Sequence, residues 1–204
     1  MEQDKMKTLL VVDSSPLTQG SKSRELTQLF TQQWAKKYPA DKIIERHVGH
    51  HPLPHLDEAT IHAFFTPPEA RTAEQREAVA LSDELIDELE STDVLVIGSP
   101  MHNFSITSTL KAWIDHIVRA GRTFNYTEQG PQGLLTEKTV YILAARGGNY
   151  AAGSPMQQLN HQDTYLKTIL GFIGLTNVQT ISAEGVSMGN EGFEHAKQMV
   201  METV

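Results

Sequence analysis

Five short apolar runs punctuate the chain, and between them apolar residues recur every three or four positions. The runs lie at Thr8–Val12, Lys42–Val48, Asp93–Ile97, Lys138–Ala144 and Val178–Ser182. Each is too short for a helix and carries β-branched residues, so each is predicted to be a strand. The helical stripes fall between them. Leu26, Leu29, Phe30 and Trp34 follow Ser21 and Ser23. Ala78, Leu81, Leu85 and Leu89 follow the capping-box sequence Thr72-Ala73-Glu74-Gln75. Ile106, Leu110, Trp113, Ile114 and Ile117 run toward Gly121, and Met156, Leu159, Leu166, Ile169, Leu170 and Ile173 run to Gly174. Phe193, Ala196 and Val200 mark a last helix, and Ala59–Phe65 a short one that Pro67-Pro68 ends. Strands alternating with helices predict a doubly wound, five-stranded parallel sheet with right-handed crossovers, helices on both faces and strand order 2-1-3-4-5.

In that order the loops after the first, third and fourth strands meet at one crevice, where open α/β sheets bind ligands. The first loop runs from Asp13-Ser14-Ser15-Pro16 to Ser21-Lys22-Ser23 at a helix start. Hydroxyls there serve either as helix caps or, with the free N–H groups of the first turn, as phosphate ligands. Neither Gly-x-Gly-x-x-Gly nor Gly-x-x-x-x-Gly-Lys-Ser/Thr occurs, so a phosphate monoester suits this loop better than a pyrophosphate. The second loop is Pro100-Met101-His102-Asn103-Phe104, compact and bounded by Gly98 and Ile106. The third is Ala145-Arg146-Gly147-Gly148, whose paired glycines suit either an ordinary turn or the close approach of a backbone to a ligand. Thr123–Leu134 reads as a long polar loop whose Phe124 and Tyr126 are either a ring-stacking wall or a hydrophobic anchor.

Composition narrows the chemistry. A chain of 204 residues, 39% hydrophobic and 21% charged, suits one globular domain over 1–204. A formal net charge of −8 argues against nucleic acid as partner. Without cysteine there is no disulfide, thiolate catalysis or Cys-ligated metal. His50, His51 and His55 fit no zinc spacing, so no metal site is expected. No apolar run approaches the length of a membrane span, and the acidic start Met1-Glu2-Gln3-Asp4 is unlike a signal peptide, so the expected location is the cytoplasm.

The motifs themselves carry a resemblance. Pro100–Phe104, Leu110-Lys111, Arg119-Ala120-Gly121-Arg122-Thr123-Phe124-Asn125-Tyr126-Thr127-Glu128, Gly130-Pro131-Gln132-Gly133-Leu134, Arg146-Gly147-Gly148, Gly171-Phe172-Ile173-Gly174 and Ala183-Glu184-Gly185 together resemble the FMN-dependent NADH:azoreductases, which also reduce quinones. The resemblance implies a flavodoxin-like homodimer holding FMN noncovalently near the subunit interface. It assigns Ser15, Ser21, Lys22 and Ser23 to the phosphate, and Pro100, Met101, His102, Asn103 and Phe104 to the flavin ring. Ala145, Arg146, Gly147 and Gly148 fall to its pyrimidine edge, and His102, Phe124 and Tyr126 to the acceptor side. Two positions depart from the family's usual residues: His102 stands for Tyr and Ala145 for Ser. The first changes the acceptor wall or its pH response, and the second removes one hydroxyl.

The implied reaction is a ping-pong exchange from NADH through FMN to a quinone or azo acceptor, with no protein nucleophile or catalytic side chain. The alternative on the same fold is an electron carrier without a small-molecule substrate. A hydrolase is disfavoured by the lack of both a Gly-x-Ser-x-Gly elbow and a cysteine.

Overall fold

The computed structural model describes residues 6–204, so the acidic start at Met1–Asp4 lies outside the described residues. β1 (Thr8–Asp13), β2 (Lys42–His47), β3 (Val94–Pro100), β6 (Thr139–Ala145) and β7 (Asn177–Ala183) form one parallel sheet in the order β2-β1-β3-β6-β7. Counted within that sheet, this is 2-1-3-4-5. The register runs Leu10 against Leu95, Leu95 against Val140 and Val140 against Val178. β1 and β3 are buried almost throughout, as central strands covered on both sides must be.

The helices are α1 (Lys22–Lys37), α2 (Glu58–Phe65), α3 (Ala73–Glu90), α4 (Ser108–Ile117), α5 (Gln162–Phe172) and α6 (Glu191–Thr203). Successive strand residues point to opposite sides of a sheet. Leu9 and Val11 accordingly pack with Leu26, Phe30 and Trp34 of α1 and with Phe193, Ala196 and Val200 of α6. Leu10 and Val12 pack in a second cluster with Leu85 and Leu89 of α3, Leu110 and Trp113 of α4, and Leu166 and Leu170 of α5. Gly98 brings α1 close to β3, because a Cβ there would lie 2.6 Å from Cγ2 of the buried Thr27.

Three boundaries differ from those the apolar pattern predicts. Ile106 lies before α4, because the Thr107 hydroxyl accepts the Leu110 N–H (3.2 Å) and sets the start there; the helix ends at Ile117 rather than Gly121. The stripe from Met156 splits into a single turn over Gln157–Leu159 and α5, with Asn160 and His161 between them. Thr123–Leu134 is largely an antiparallel hairpin, β4 (Phe124–Thr127) with β5 (Gly130–Gly133). The hairpin springs from the amino-terminal edge of the sheet, where α4 ends and β6 begins. It is held there by the Leu135 N–H on Ile173 O (2.9 Å) and by Phe124 against Phe172 (ring centroids 4.6 Å).

Phe30 is fully buried, 6.0 Å from the Trp34 ring and 4.9 Å from that of Tyr141. Phe30→Ala is expected to cost about 3–5 kcal/mol, measured as a fall in the denaturant midpoint at unchanged slope. A loss below 1 kcal/mol would contradict the packing described.

Candidate functional site

At the carboxyl edge of the sheet the loops after β1, β3 and β6 converge, and each is braced from behind. In the first, Ser14 N–H and Oγ both donate to Gly98 O (3.1 and 2.7 Å), tying the loop to β3. The buried Asp13 carboxylate accepts from Ser15 N–H (3.0 Å) and from Arg24, whose guanidinium also donates to Leu17 O and Ser15 O. Ser21 caps α1 by accepting from Arg24 N–H (3.3 Å), and its Oγ lies 3.3 Å from Ser23 Oγ. Lys22 and Ser23 thus present first-turn N–H groups, at the positive end of the helix dipole, beside two hydroxyls. Lys22's ammonium does not join them. It pairs with Glu25 (3.1 Å) and sits 4.2 Å from the Phe193 ring centroid.

The second loop is a two-residue reverse turn. His102 N–H donates to Ser105 O and Ser105 N–H to His102 O, each at 2.9 Å, and Asn103 and Phe104 between them have φ of 48° and 68°. Positive φ at both central positions is the pattern of a type I′ turn. Asn tolerates it; for Phe it is strained, and such strain concentrates at ligand sites. Met101 N–H donates to Ala145 O (2.8 Å), fastening this loop to the third. An open cleft of about 500 Å³ lies beside the turn, lined by His102, Asn103, Ser105, Lys111 and Tyr165 among others. There the Lys111 ammonium donates to the Asp115 carboxylate, which raises the Lys111 pKa, and burial raises that of the Tyr165 phenol, so at neutral pH one is a cation and the other neutral.

In the third loop the carbonyls are spent. Arg146 O accepts from Val186 N–H (3.0 Å), Gly147 O from Ser187 N–H (3.2 Å) and Gly148 O from Gly185 N–H (2.9 Å). Among the described residues, no acceptor takes the N–H groups of Gly147, Gly148, Asn103, Phe104, Lys22 or Ser23. The crevice is therefore a set of backbone donors without acceptors of their own. It suits a planar group rich in carbonyl and imine acceptors together with one phosphate.

Two of the expected site residues are engaged within the protein. The Arg146 N–H donates to Ala183 O (2.9 Å), its carbonyl accepts from Val186 N–H, and its buried guanidinium donates to Gln162 and Glu184 behind the loop. Phe124 anchors the hairpin, buried against Phe172 at the opposite edge of its own sheet. Tyr126, on the same hairpin, is exposed. Ser15 and Ala145 are buried at the root of their loops, Pro100 ends β3, and Met101, His102, Asn103 and Phe104 are partly or fully exposed around the turn.

Sequence reasoning missed Arg24, Gly49 and Gln162. Gln162 carried a signal: it lies four residues before Leu166 and eight before Leu170, a polar residue on the buried face of α5. Gly49 carried none, since its closeness to Ser15 is tertiary.

The comparisons bear on this geometry. A family model described as flavodoxin-like fold matches residues 7–203. An FMN-dependent NADH:quinone oxidoreductase of Herminiimonas arsenicoxydans is 50% identical over 199 residues, 98% of this chain and 97% of its own. An FMN-dependent NADH:quinone oxidoreductase 2 of Pseudomonas putida is 48% identical over 189 residues, 93% of each. Among solved structures, an azoreductase from Bacillus anthracis is similar with TM-score 0.86 at 28% identity, covering 97% of this chain and 100% of that one. An FMN-dependent NADH-azoreductase from the same species, in complex with FMN, is similar with TM-score 0.88 at 25% identity over 97% of each chain.

A Cβ on Gly49 would lie 2.1 Å from Ser15 O, so Gly49→Ala must displace the Ser14–Ser15 backbone. It is expected to cost about 1–3 kcal/mol in a thermal or urea melt. An unchanged melt would show that the first loop is not held as described.

Proposed function

Since this chain belongs to the flavodoxin-like family of FMN-dependent NADH:quinone oxidoreductases and azoreductases, we propose that it carries reducing equivalents from NADH to quinones and azo compounds through noncovalently bound FMN. The observation that carries the reading is the crevice of unspent N–H donors on three convergent loops. Those donors fit FMN by chemistry: one monoester phosphate, and a ring bearing acceptors along one edge. When bound, FMN supplies hydride transfer between donor and acceptor, and the protein supplies binding, orientation and electrostatics.

Each loop then has a task. The Lys22 and Ser23 N–H groups, with the hydroxyls of Ser15, Ser21 and Ser23, hold the phosphate. The Asn103 and Phe104 N–H groups orient the ring, with Pro100 and Met101 carrying the turn, and the Gly147 and Gly148 N–H groups address its pyrimidine edge beside Ala145. His102 stands at the acceptor side, next to the cleft. No side chain acts as nucleophile.

The finer architecture belongs to the same reading. The sheet is doubly wound with helices on both faces, supported by the division of the core between α1 with α6 and α3 with α4 and α5. The chain acts as one FMN-binding unit over 1–204, supported by the span of the family match. It works as a homodimer in the cytoplasm. Dimerisation bears on the site because the hairpin is rooted at the far edge of its own sheet. Tyr126 reaches an acceptor pocket only across a subunit interface. No described helix is long and apolar enough to cross a membrane. The carrier alternative is not favoured, since the relatives are named as oxidoreductases.

The test is direct. The purified protein reconstituted with FMN is expected to show a visible flavin spectrum that anaerobic NADH bleaches and a quinone restores. A colourless protein that FMN cannot reconstitute would refute the reading, and a flavoprotein that NADH fails to bleach would return the carrier. Asn103→Leu places a branched side chain at φ 48° and should raise the FMN Kd at least tenfold, about 1.4 kcal/mol. An unaltered Kd would remove the turn from the ring site.

A further inference from the structure

Behind the Gly147–Gly148 turn lies a buried polar cluster that no step of the proposed reaction uses. Gln162 is fully buried. Its Nε2 donates to Ser99 O (2.8 Å) and Ser99 Oγ (3.0 Å), and its Oε1 accepts from Arg146 Nε (2.9 Å). The Arg146 guanidinium also donates to Glu184 Oε1 (2.6 Å) and approaches Asp163 Oδ1 (3.2 Å). Glu184 Oε2 accepts from Tyr150 N–H (2.8 Å), and Asp163 is shared with Lys167 (3.5 Å). One amide therefore joins the end of β3 to the loop after β6, and one carboxylate joins that loop to the residue two beyond its second glycine.

An arginine at the start of a glycine turn has two obvious fates. Left free, its guanidinium would swing toward any anionic or acceptor-rich ligand at the turn. Here the guanidinium is held back on three sides, and its side chain is 2% exposed. Burying that charge is tolerable because Gln162 and Glu184 accept hydrogen bonds from two of its nitrogens and Asp163 Oδ1 lies 3.2 Å from the third, Nη2, as an ion pair without a hydrogen bond. The matched cluster also sets the field at the turn: Glu184 offsets the Arg146 cation, and Lys167 offsets Asp163. We propose that Gln162 and Glu184 are positioning residues that hold the Arg146 guanidinium behind the Gly147–Gly148 turn, so that a bound flavin meets the two backbone N–H groups and only a muted positive charge.

This rests on the FMN reading of the crevice and adds a consequence to it. Added positive charge near the pyrimidine edge stabilises the more negative, reduced form of a flavin. Removing the charge of Glu184 while keeping its shape should therefore raise the midpoint potential. Cutting the amide bridge should instead loosen the turn and weaken binding.

The experiment uses the full chain, with apoprotein titrated by FMN fluorescence and holoprotein titrated for its midpoint potential. Glu184→Gln is expected to raise the potential while its FMN Kd stays within a few-fold of the parent. Gln162→Met is expected to raise the Kd at least tenfold. A purely structural role would lower Tm in both variants and move neither quantity. If Glu184→Gln does not fold, Asp163→Asn serves, since it removes the other carboxylate from Arg146 and should shift the potential the same way. If the parent binds FMN and the variants leave both potential and Kd unmoved, this inference is overturned alone. If the parent apoprotein takes no FMN, the functional reading fails with it.

Discussion

The site depends on an asymmetry in backbone hydrogen bonding at the carboxyl edge of the sheet. In the loop after β6 the carbonyls of Arg146, Gly147 and Gly148 are taken by the 185–187 segment, while the N–H groups of the two glycines are taken by nothing among the described residues. The same holds for Asn103 and Phe104, where the turn bonds are closed by their neighbours His102 and Ser105, and for the first turn of α1. Apart from Ser23 these donors sit on residues partly or fully open to solvent, so a ligand that brings acceptors can take them without first breaking a hydrogen bond within the protein.

Holding donors in place requires that the loops not collapse onto one another, and charged side chains do that from behind. Arg24 binds Asp13 and the carbonyls of Ser15 and Leu17, fixing the first loop against the helix it precedes. Arg146 and Gln162 do the same between the end of β3 and the third loop. Both arginines are largely buried, and both are matched by carboxylates, as a low-dielectric environment demands. The arginines act as braces, and in the proposed reading the ligand contacts fall to backbone N–H groups and serine hydroxyls.

Much of this was readable from residue order. The strands follow from short β-branched runs, and the sheet order from the alternation with helices, because parallel neighbours admit few topologies. Convergence of the three loops then follows from the order. What could not be read was local. β5, Gly130-Pro131-Gln132-Gly133, has no apolar residue to mark a strand, and its proline sits in a two-stranded ribbon where a missing donor is tolerated. Ile106 extended the apolar period of α4 by one position, but the Thr107 hydroxyl, not the period, decides where that helix begins. The facing of Arg146 could not be inferred from its place beside two glycines, since its partners Gln162 and Glu184 lie 16 and 38 residues away.

The central claim is that unspent backbone N–H groups on three loops hold the cofactor. Backbone amide NMR of the apoprotein titrated with FMN tests it most directly. The account predicts that the largest shifts fall on Lys22, Ser23, Asn103, Phe104, Gly147 and Gly148, with the Arg146 amide moving little because Ala183 already holds it. Saturable binding whose shifts fall elsewhere on the surface, with these six amides unmoved, would contradict it.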